Sequence, residues 1–169
     1  MPDVITNINA EIETLIATMT TGGGYNYTWL STSTNPKDFD FAEALVSDDF
    51  AALFPVTLIH YGPEDVAKPT MNQLAANGRT YTNDLQFVLE VYVGADDSDV
   101  ADVQINKAIS DLKKLFFNED CLNGKAFIVL YTGHRRDTAF SDAESCAGRL
   151  LFEITVRYNQ DITDPEILA

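Results

Sequence analysis

The stretch Leu85–Val93, LQFVLEVYV, decides the fold of this chain. Every second residue from Leu85 is apolar, and this period of two predicts a strand with one buried face. After a break at residues 94–98, apolar side chains recur at helical spacing from Val100 to Phe116, which predicts a helix with Asp99 as its N-cap. Because this helix can cover the apolar face of the strand, we expect the other elements to extend the same sheet.

The other elements are predicted from the same two periods. Val4–Met19 has an apolar stripe at helical spacing and is predicted to be an amphipathic helix. Further strands are predicted where β-branched, aromatic or alternating apolar residues gather, at Tyr25–Leu30, at Phe54–Tyr61 up to the stop at Gly62-Pro63, at Lys125–Tyr131 and at Leu150–Tyr158. The run at 125–131 is apolar on both faces, which favours a central position in the sheet. We also expect Glu90 to face Arg157 across the sheet.

The pattern predicts a single α+β domain over residues 1–161, followed by an acidic, proline-containing tail at 162–169. The sheet is expected to be mixed but largely antiparallel, with the two main helices packed on one face. Two polar stretches, 31–49 and 133–147, are predicted to be long loops. Loops of that length in a compact domain are usually functional or held by a partner.

These two loops supply the candidate interface residues. Phe39 and Phe41 in the first loop either tuck under the domain or make an intermolecular contact, as exposed aromatic pairs do. In the second loop, Arg135 and Arg136 offer a complement to carboxylates on a neighbouring molecule. Phe140, in the same loop, completes the set of predicted subunit or partner contacts.

Composition excludes several classes of function. The net charge of −15 leaves no clustered basic footprint for gripping nucleic acid, although it suits a surface that DNA passes without sticking. No apolar run approaches the roughly 20 residues that a membrane helix needs, so we expect no membrane partner. The N-terminus also lacks the pattern of a signal peptide.

The sequence offers no catalytic constellation. His60 at a strand end is better explained as a structural or solvent-facing histidine than as a general base. The acidic cluster at residues 96–102 lacks the spacing of an EF-hand and is explained by helix capping and a solvated first turn. Cys121 and Cys146 are too few for a disulfide framework and are expected to be reduced. We therefore expect a protein that is not an enzyme and holds no cofactor or metal.

A further pattern lies in the order of the elements. An N-terminal helix precedes an aromatic strand ending in Trp29-Leu30, and a wandering segment leads to the strand at Pro55–Ile59. A long strand, a helix, a strand and a last long strand ending in Val156–Asp161 follow. This order resembles the tail terminator proteins of long-tailed bacteriophages, the gpU-like minor tail and tail-completion proteins.

The resemblance implies a structural virion protein that assembles as a hexameric ring and has no catalytic residues. Such a ring caps the tail tube, stops its polymerisation and presents a surface to the neck, while DNA passes through the lumen without specific binding. The implied partners are further copies of the chain, the tail tube protein and a neck or head-connector protein, with the tail sheath as a further candidate. The implied location is the head-proximal end of the virion tail, after assembly in the host cytoplasm.

Two other functions remain open. The chain could be another head–tail joining, neck or tube-related protein of the virion, which composition does not separate from a terminator. It could also be a small cytosolic α+β enzyme or ligand-binding domain. That last function predicts an apolar pocket with convergent polar groups.

Overall fold

A computed structural model describes residues 4–29, 55–66, 80–95, 98–142 and 145–161 of the chain. The main elements in chain order are α1 (Val4–Ala17), β1 (Val56–Val66), β2 (Thr80–Ala95), α2 (Ser98–Asn118), β3 (Ile128–Asp142) and β4 (Ser145–Asp161). Short 3₁₀ helices follow α1 at Thr21–Gly23 and α2 at Leu122–Gly124. The strand and helix predicted between residues 85 and 117 are confirmed, and so is the N-terminal helix. The predicted N-cap is wrong, because α2 begins at Ser98 and Asp99 lies inside its first turn.

The four strands form one antiparallel sheet in the order β1-β2-β4-β3. β2 and β4 occupy its centre, and the pairing of Leu89 with Phe152 places the apolar residues of both strands on one face. Both helices share a single hydrophobic core with that face, which includes Ile8, Ile12 and Ile16 of α1 and Ile105, Leu112 and Leu115 of α2. The predicted α+β domain, with two helices and a largely antiparallel sheet, is confirmed.

Gly148 fixes how closely α2 approaches the sheet. A Cβ atom at this position would lie 2.7 Å from Ile105 Cδ1 and 2.8 Å from Ile105 Cγ1. It would also lie 3.2 Å from Cγ2 of Val93, the residue that pairs with Gly148 across the two central strands. The missing side chain therefore creates the space in which the Ile105 side chain sits against the sheet.

The strand predicted at Tyr25–Leu30 is wrong over its described residues, 25–29, which follow an irregular path against α2. Asp111 of α2, which is buried, accepts hydrogen bonds from the backbone N–H groups of Asn26 at 2.8 Å and Tyr27 at 3.1 Å. It also accepts one from the indole Nε1 of Trp29 at 3.2 Å. Because a side chain takes up these backbone donors, they are not available to a β-ladder.

The loop predicted at 133–147 is also wrong over its described residues, 133–142 and 145–147, because they belong to two paired β-strands. β3 runs to Asp142 and β4 begins at Ser145. The strand predicted at 125–131 begins only at Ile128, and it lies at an edge of the sheet instead of the predicted centre. An edge strand pairs on one side only and can leave polar side chains in water, so the polar sequence is compatible with a long strand here.

β1 forms the other edge of the sheet. The strand predicted at Phe54–Tyr61 was expected to stop at Gly62-Pro63, but β1 continues to Val66. Its pairing with β2 shifts register between Tyr61 and Glu64. Proline has no N–H to donate, and an irregularity in an edge strand is one of the few places in a sheet that tolerates it.

Three sequence predictions lie outside the described residues. They are the loop at 31–49, the tail at 162–169 and the last residue of the predicted aromatic strand, Leu30. In the part of the chain that the structure describes, no helix has both the length and the apolar character needed to cross a membrane.

Candidate interaction surface

The sheet face opposite the helices carries a buried carboxylate, Glu90 of β2, which is 8% exposed. Tyr92 OH donates to Oε1 of Glu90 at 2.6 Å, and Arg149 Nε donates to the same oxygen at 2.7 Å. His60 Nε2 lies 2.7 Å from the other oxygen, Oε2. Burial raises the pKa of Glu90, but the hydrogen bonds from these three partners outweigh burial and hold its pKa below the ordinary value.

This network is built to hold strands together. His60 belongs to β1, Glu90 and Tyr92 to β2, and Arg149 to β4, so one carboxylate links three strands. Both oxygens of Glu90 are engaged by protein side chains, and the carboxylate has no oxygen set aside for a substrate. We therefore assign the network a structural role, and His60 a place in it as a partner of Glu90.

The predicted pairing of Glu90 with Arg157 is wrong. In the observed register Arg157 stands opposite Asp84, and Glu90 stands opposite Leu151. Arg157 donates from Nε to Asp84 Oδ1 at 2.7 Å and from its terminal nitrogen to Oδ2 at 2.8 Å. The alternation of apolar residues did not reveal this offset, because a shift by an even number of residues keeps the same side chains on the same face.

Large hydrophobic side chains are exposed where α2 ends and β3 begins. Phe117, in the last turn of α2, is 86% exposed, and Phe127, just before β3, is 66% exposed. On β3 itself, Leu130 and Tyr131 are 39% and 40% exposed. These four account for most of the large hydrophobic side chains that are exposed in the described part of the chain. Of the four, Phe117 and Tyr131 line a common groove.

An apolar groove of about 520 Å³ lies in this region. Its inner wall contains the buried rings of Phe116 and Phe152, which stack with centroids 6.2 Å apart. The Tyr131 ring packs on Phe152 with a centroid distance of 4.9 Å, and Phe117 lines the outer side. Asp120 is the only carboxylate among the described residues that line the groove. The groove is therefore mainly aromatic and aliphatic.

One basic side chain, Lys113, lines the groove. Lys113 Nζ lies 4.6 Å from the centroid of the Tyr131 ring, a cation–π distance, and Tyr131 OH is in hydrogen-bonding contact with His134 Nδ1. Partial burial lowers the pKa of His134, and the charges of Lys113 and Arg136 lower it further. Five residues, Lys113, Phe117, Tyr131, His134 and Arg136, are named the edge surface from here on.

The two arginines predicted at interfaces have different surroundings. Arg135 and Arg136 are neighbours in β3 and so point to opposite faces of the sheet. Arg135 pairs with Glu153 at 3.1 Å on the face opposite the helices. Arg136 belongs to the edge surface, and within the described residues neither it nor Lys113 has a carboxylate at ion-pair distance.

The side chains of the three predicted phenylalanines lie outside the described part of the structure. Phe140 lies in β3, where its backbone pairs with Ala147 of β4. Phe39 and Phe41 lie outside the described residues. All three stay predictions of interface residues.

Sequence reasoning missed most of the edge surface. Phe117 follows Phe116 and so lies one position beyond the apolar stripe of the helix, which marks it as an aromatic side chain without a place in the core. Lys113 carries no sequence signal beyond that of an exposed residue on the polar side of the helix. The signal that could have indicated the surface is the combination of an off-stripe aromatic residue with the doubly apolar run that follows at 125–131.

The described residues contain no group of three or more His, Cys, Asp or Glu side chains that could hold a metal ion. Cys121 is a free, exposed thiol, and the side chain of Cys146 lies outside the described set. No protein-family model matches this chain, and no curated protein matches it either.

Proposed function

We propose that this chain is the subunit of a bacteriophage tail terminator, a ring that caps the tail tube, stops its polymerisation and forms the interface to the neck. The order of elements in the sequence is the basis for proposing that the protein lies at the head-proximal end of the virion tail. The edge surface and its groove are the observation that carries the proposal of assembly. A single copy would leave Phe117 and the aromatic groove in water, and exposed apolar patches on soluble proteins usually mark sites of association.

The outer edge of β3, which no described strand covers, supports the same proposal. β3 is 15 residues long, and no strand of the described structure pairs with its outer side. A long open edge is a hazard for a protein that acts alone, because unpaired backbone groups invite other chains to add. A closed ring of copies gives such an edge a defined neighbour at every position.

The charge of the chain supports the proposed lumen. At a net charge of −15, most surfaces of an assembled ring would repel DNA, so that a genome could pass without adhering. This argument concerns the passage of DNA and gives no reason to expect a specific DNA site.

The direct test is capping of purified tail tubes. Gold-labelled protein should be found at one end of each tube in electron micrographs, and added to growing tubes it should stop elongation at that end. An unrelated acidic protein of similar size is the control for non-specific adhesion. Absence of label from both ends would refute the proposal. Binding to purified head connectors alone would instead favour a neck or head–tail joining protein.

A second candidate function, a ligand-binding domain, is favoured by the groove itself. Its volume of about 520 Å³ lies in the range of small-molecule pockets, and Lys113 supplies a polar group at its border. Light scattering with negative-stain imaging separates the two candidates. A ring with an open centre favours the terminator, and a monomer that fails to bind tubes favours the ligand-binding domain.

A further inference from the structure

We propose that two copies of this chain associate symmetrically through the aromatic groove, with Phe117 of each copy in the groove of the other and Lys113 of each beside Asp120 of the other. The inference rests on the proposed function only in taking the groove as a site of association between like copies. It adds which side chains meet, and it assigns the contact a two-fold axis.

Lys113, Phe117 and Asp120 lie on one side of the chain at the end of α2. Their spacing of four and then three residues places them on one helix face, and helical hydrogen bonding continues to Glu119, whose N–H donates to the Leu115 carbonyl oxygen at 2.9 Å. All three line the groove. Because a helix rises about 1.5 Å per residue, Lys113 and Asp120 stand about 10 Å apart along the axis, with Phe117 between them.

The two charged side chains of the groove lack ion-pair partners within the described residues. Lys113 lies over the Tyr131 ring, with Nζ 4.6 Å from the centroid. A hydrogen bond reaches Asp120 from the neighbouring Cys121 thiol, which is a weak and uncharged donor. The groove therefore offers a partner a cation at one end, a carboxylate at the other and aromatic rings between them.

A surface with this arrangement is complementary to itself. A two-fold axis near Phe117 would reverse the direction of α2 in the second copy, so that Lys113 of each copy lies beside Asp120 of the other. The Phe117 ring, which is 86% exposed in a single copy, would then pack against Phe116 and Phe152 of the second copy. Because opposite charges meet at both ends, they favour this one orientation of the two copies.

The opposite orientation is disfavoured by the same charges. If the two copies of α2 ran parallel, Lys113 would face Lys113 and Asp120 would face Asp120, and like charges in an interface are repulsive. A two-fold contact closes after two copies. A ring would therefore need a second contact at another surface, and the outer edge of β3 is uncovered by any described strand.

The aromatic and charged parts of the contact have separate roles. Burial of Phe117 removes apolar surface from water and supplies most of the affinity. The two ion pairs fix the orientation and add an attraction that salt screens. Removal of the ring and reversal of one charge should therefore both weaken association, and only the charge effect should depend strongly on salt.

The first test measures association of single variants by sedimentation velocity at low salt. Phe117→Ser removes the ring, and Lys113→Glu or Asp120→Lys places like charges at both ends of the contact. Each should weaken self-association at least about tenfold. Val103→Ser and Lys107→Glu are matched controls that should behave as the wild type, because both residues are exposed on α2 outside the groove. Circular dichroism checks that each variant is folded.

The Asp120→Lys variant separates a specific contact from a general charge effect. It makes a chain with a net charge of −15 less negative, so the repulsion between whole copies falls. A general effect would therefore strengthen association, whereas the proposed contact requires that association weaken. Association as strong as that of the wild type, or stronger, would overturn the inference.

An equimolar mixture of Lys113→Glu and Asp120→Lys tests the pairing itself. In the mixed pair the carboxylate introduced at position 113 meets the ammonium introduced at position 120, and the unchanged Asp120 meets the unchanged Lys113. The mixture should therefore form pairs about as tightly as the wild type, although neither variant does so alone. An ion pair within one copy cannot produce this rescue. A mixture that associates no better than the separate variants would overturn the two-fold contact.

Wild-type protein that stays monomeric up to about 1 mM at low salt would also overturn the inference. If that monomer bound anilinonaphthalene sulfonate and the Phe117→Ser variant did not, the groove would be assigned to a small apolar ligand instead.

The inference and the proposed function can fail separately. If the protein caps tail tubes but the mixture shows no rescue, the function stands and the two-fold contact is wrong. If the mixture is rescued but the protein never binds a tube end, the contact stands and the terminator function is wrong.

Discussion

Asp111 should be the side chain on which the placement of residues 25–29 depends. It is 2% exposed, and its two oxygens accept from the backbone N–H groups of Asn26 and Tyr27, from Nδ2 of Asn26 at 2.8 Å and from Nε1 of Trp29. Replacing Asp111 by alanine removes every one of these acceptors at once. The segment then keeps its apolar contacts but loses the polar anchor that fixes its path.

The expected cost follows from the donors that are left without a partner. An unsatisfied buried donor costs about 1–3 kcal/mol, and the Trp29 indole is buried, whereas the two backbone donors are part-buried and can recover some water. Counting the indole in full and the two backbone groups at half gives a loss of about 2–6 kcal/mol for Asp111→Ala. Asp111→Asn keeps the volume and one acceptor oxygen but turns an amide NH₂ toward other donors, so we expect a loss of about 2–4 kcal/mol.

Urea unfolding followed by tryptophan fluorescence measures this loss directly, because Trp29 is the only tryptophan in the chain. Both variants should unfold at lower urea than the wild type, and their folded states should emit at longer wavelength as water reaches the indole. Asp102→Asn, an exposed carboxylate on the same helix, is the control and should change stability by less than about 0.5 kcal/mol. An Asp111→Asn protein that unfolds together with this control would refute the anchoring role.

Three further predictions concern packing and titration. Gly148→Ala should lower the free energy of unfolding by about 1–3 kcal/mol, because its Cβ would collide with Ile105. Adding Ile105→Ala to the same chain should recover part of that loss. Additive losses in a double-mutant cycle measured by urea unfolding would contradict the contact. Because the pKa of Glu90 is lowered in the folded state, its contribution to stability is present above the ordinary value of 4.5 and is lost as the pH falls through the folded pKa. Glu90→Gln should therefore make the free energy of unfolding less dependent on pH at acid pH. An unchanged pH dependence would contradict this. Burial, followed by the charge of Asp111, raises the pKa of Tyr27 to about 12. We expect this in an absorbance titration of the wild type and Tyr27→Phe at alkaline pH. The difference between the two curves should show one phenol ionising near 12 and none near 10.

The central elements could be predicted from the sequence because each has one face in the core. β2 and β4 alternate over their whole buried length, and α2 has an apolar stripe at helical spacing, so burial leaves a local signature in each. The same reasoning found both helices and the antiparallel character of the sheet. It could not set the β2–β4 register, since Glu90 falls on the same face whether it stands opposite Arg157 or Leu151.

The errors arose where a distant residue decides the local structure. Tyr25–Trp29 has the composition of a strand, but its donors are captured by Asp111, which lies more than eighty positions further along the chain. The polar part of β3 is a strand because β4 supplies a ladder for it up to Asp142. The edge surface was missed for a similar reason, since only the folded sheet brings Tyr131 of β3 against Lys113 of α2.

The shape of the β3 edge indicates how such a surface could bind one partner without collecting others. Its pairing with β4 shifts register between Tyr131 and Gly133 and again between Thr138 and Phe140. Irregularities of this kind bend an edge strand, and basic side chains such as Arg136 make it a poor template for indiscriminate strand addition. Association would then depend on side chains that fit the aromatic groove, and less on the backbone. A protein proposed to stop polymerisation has particular need of this property, because an edge that accepted any strand would continue to grow the assembly it is meant to end.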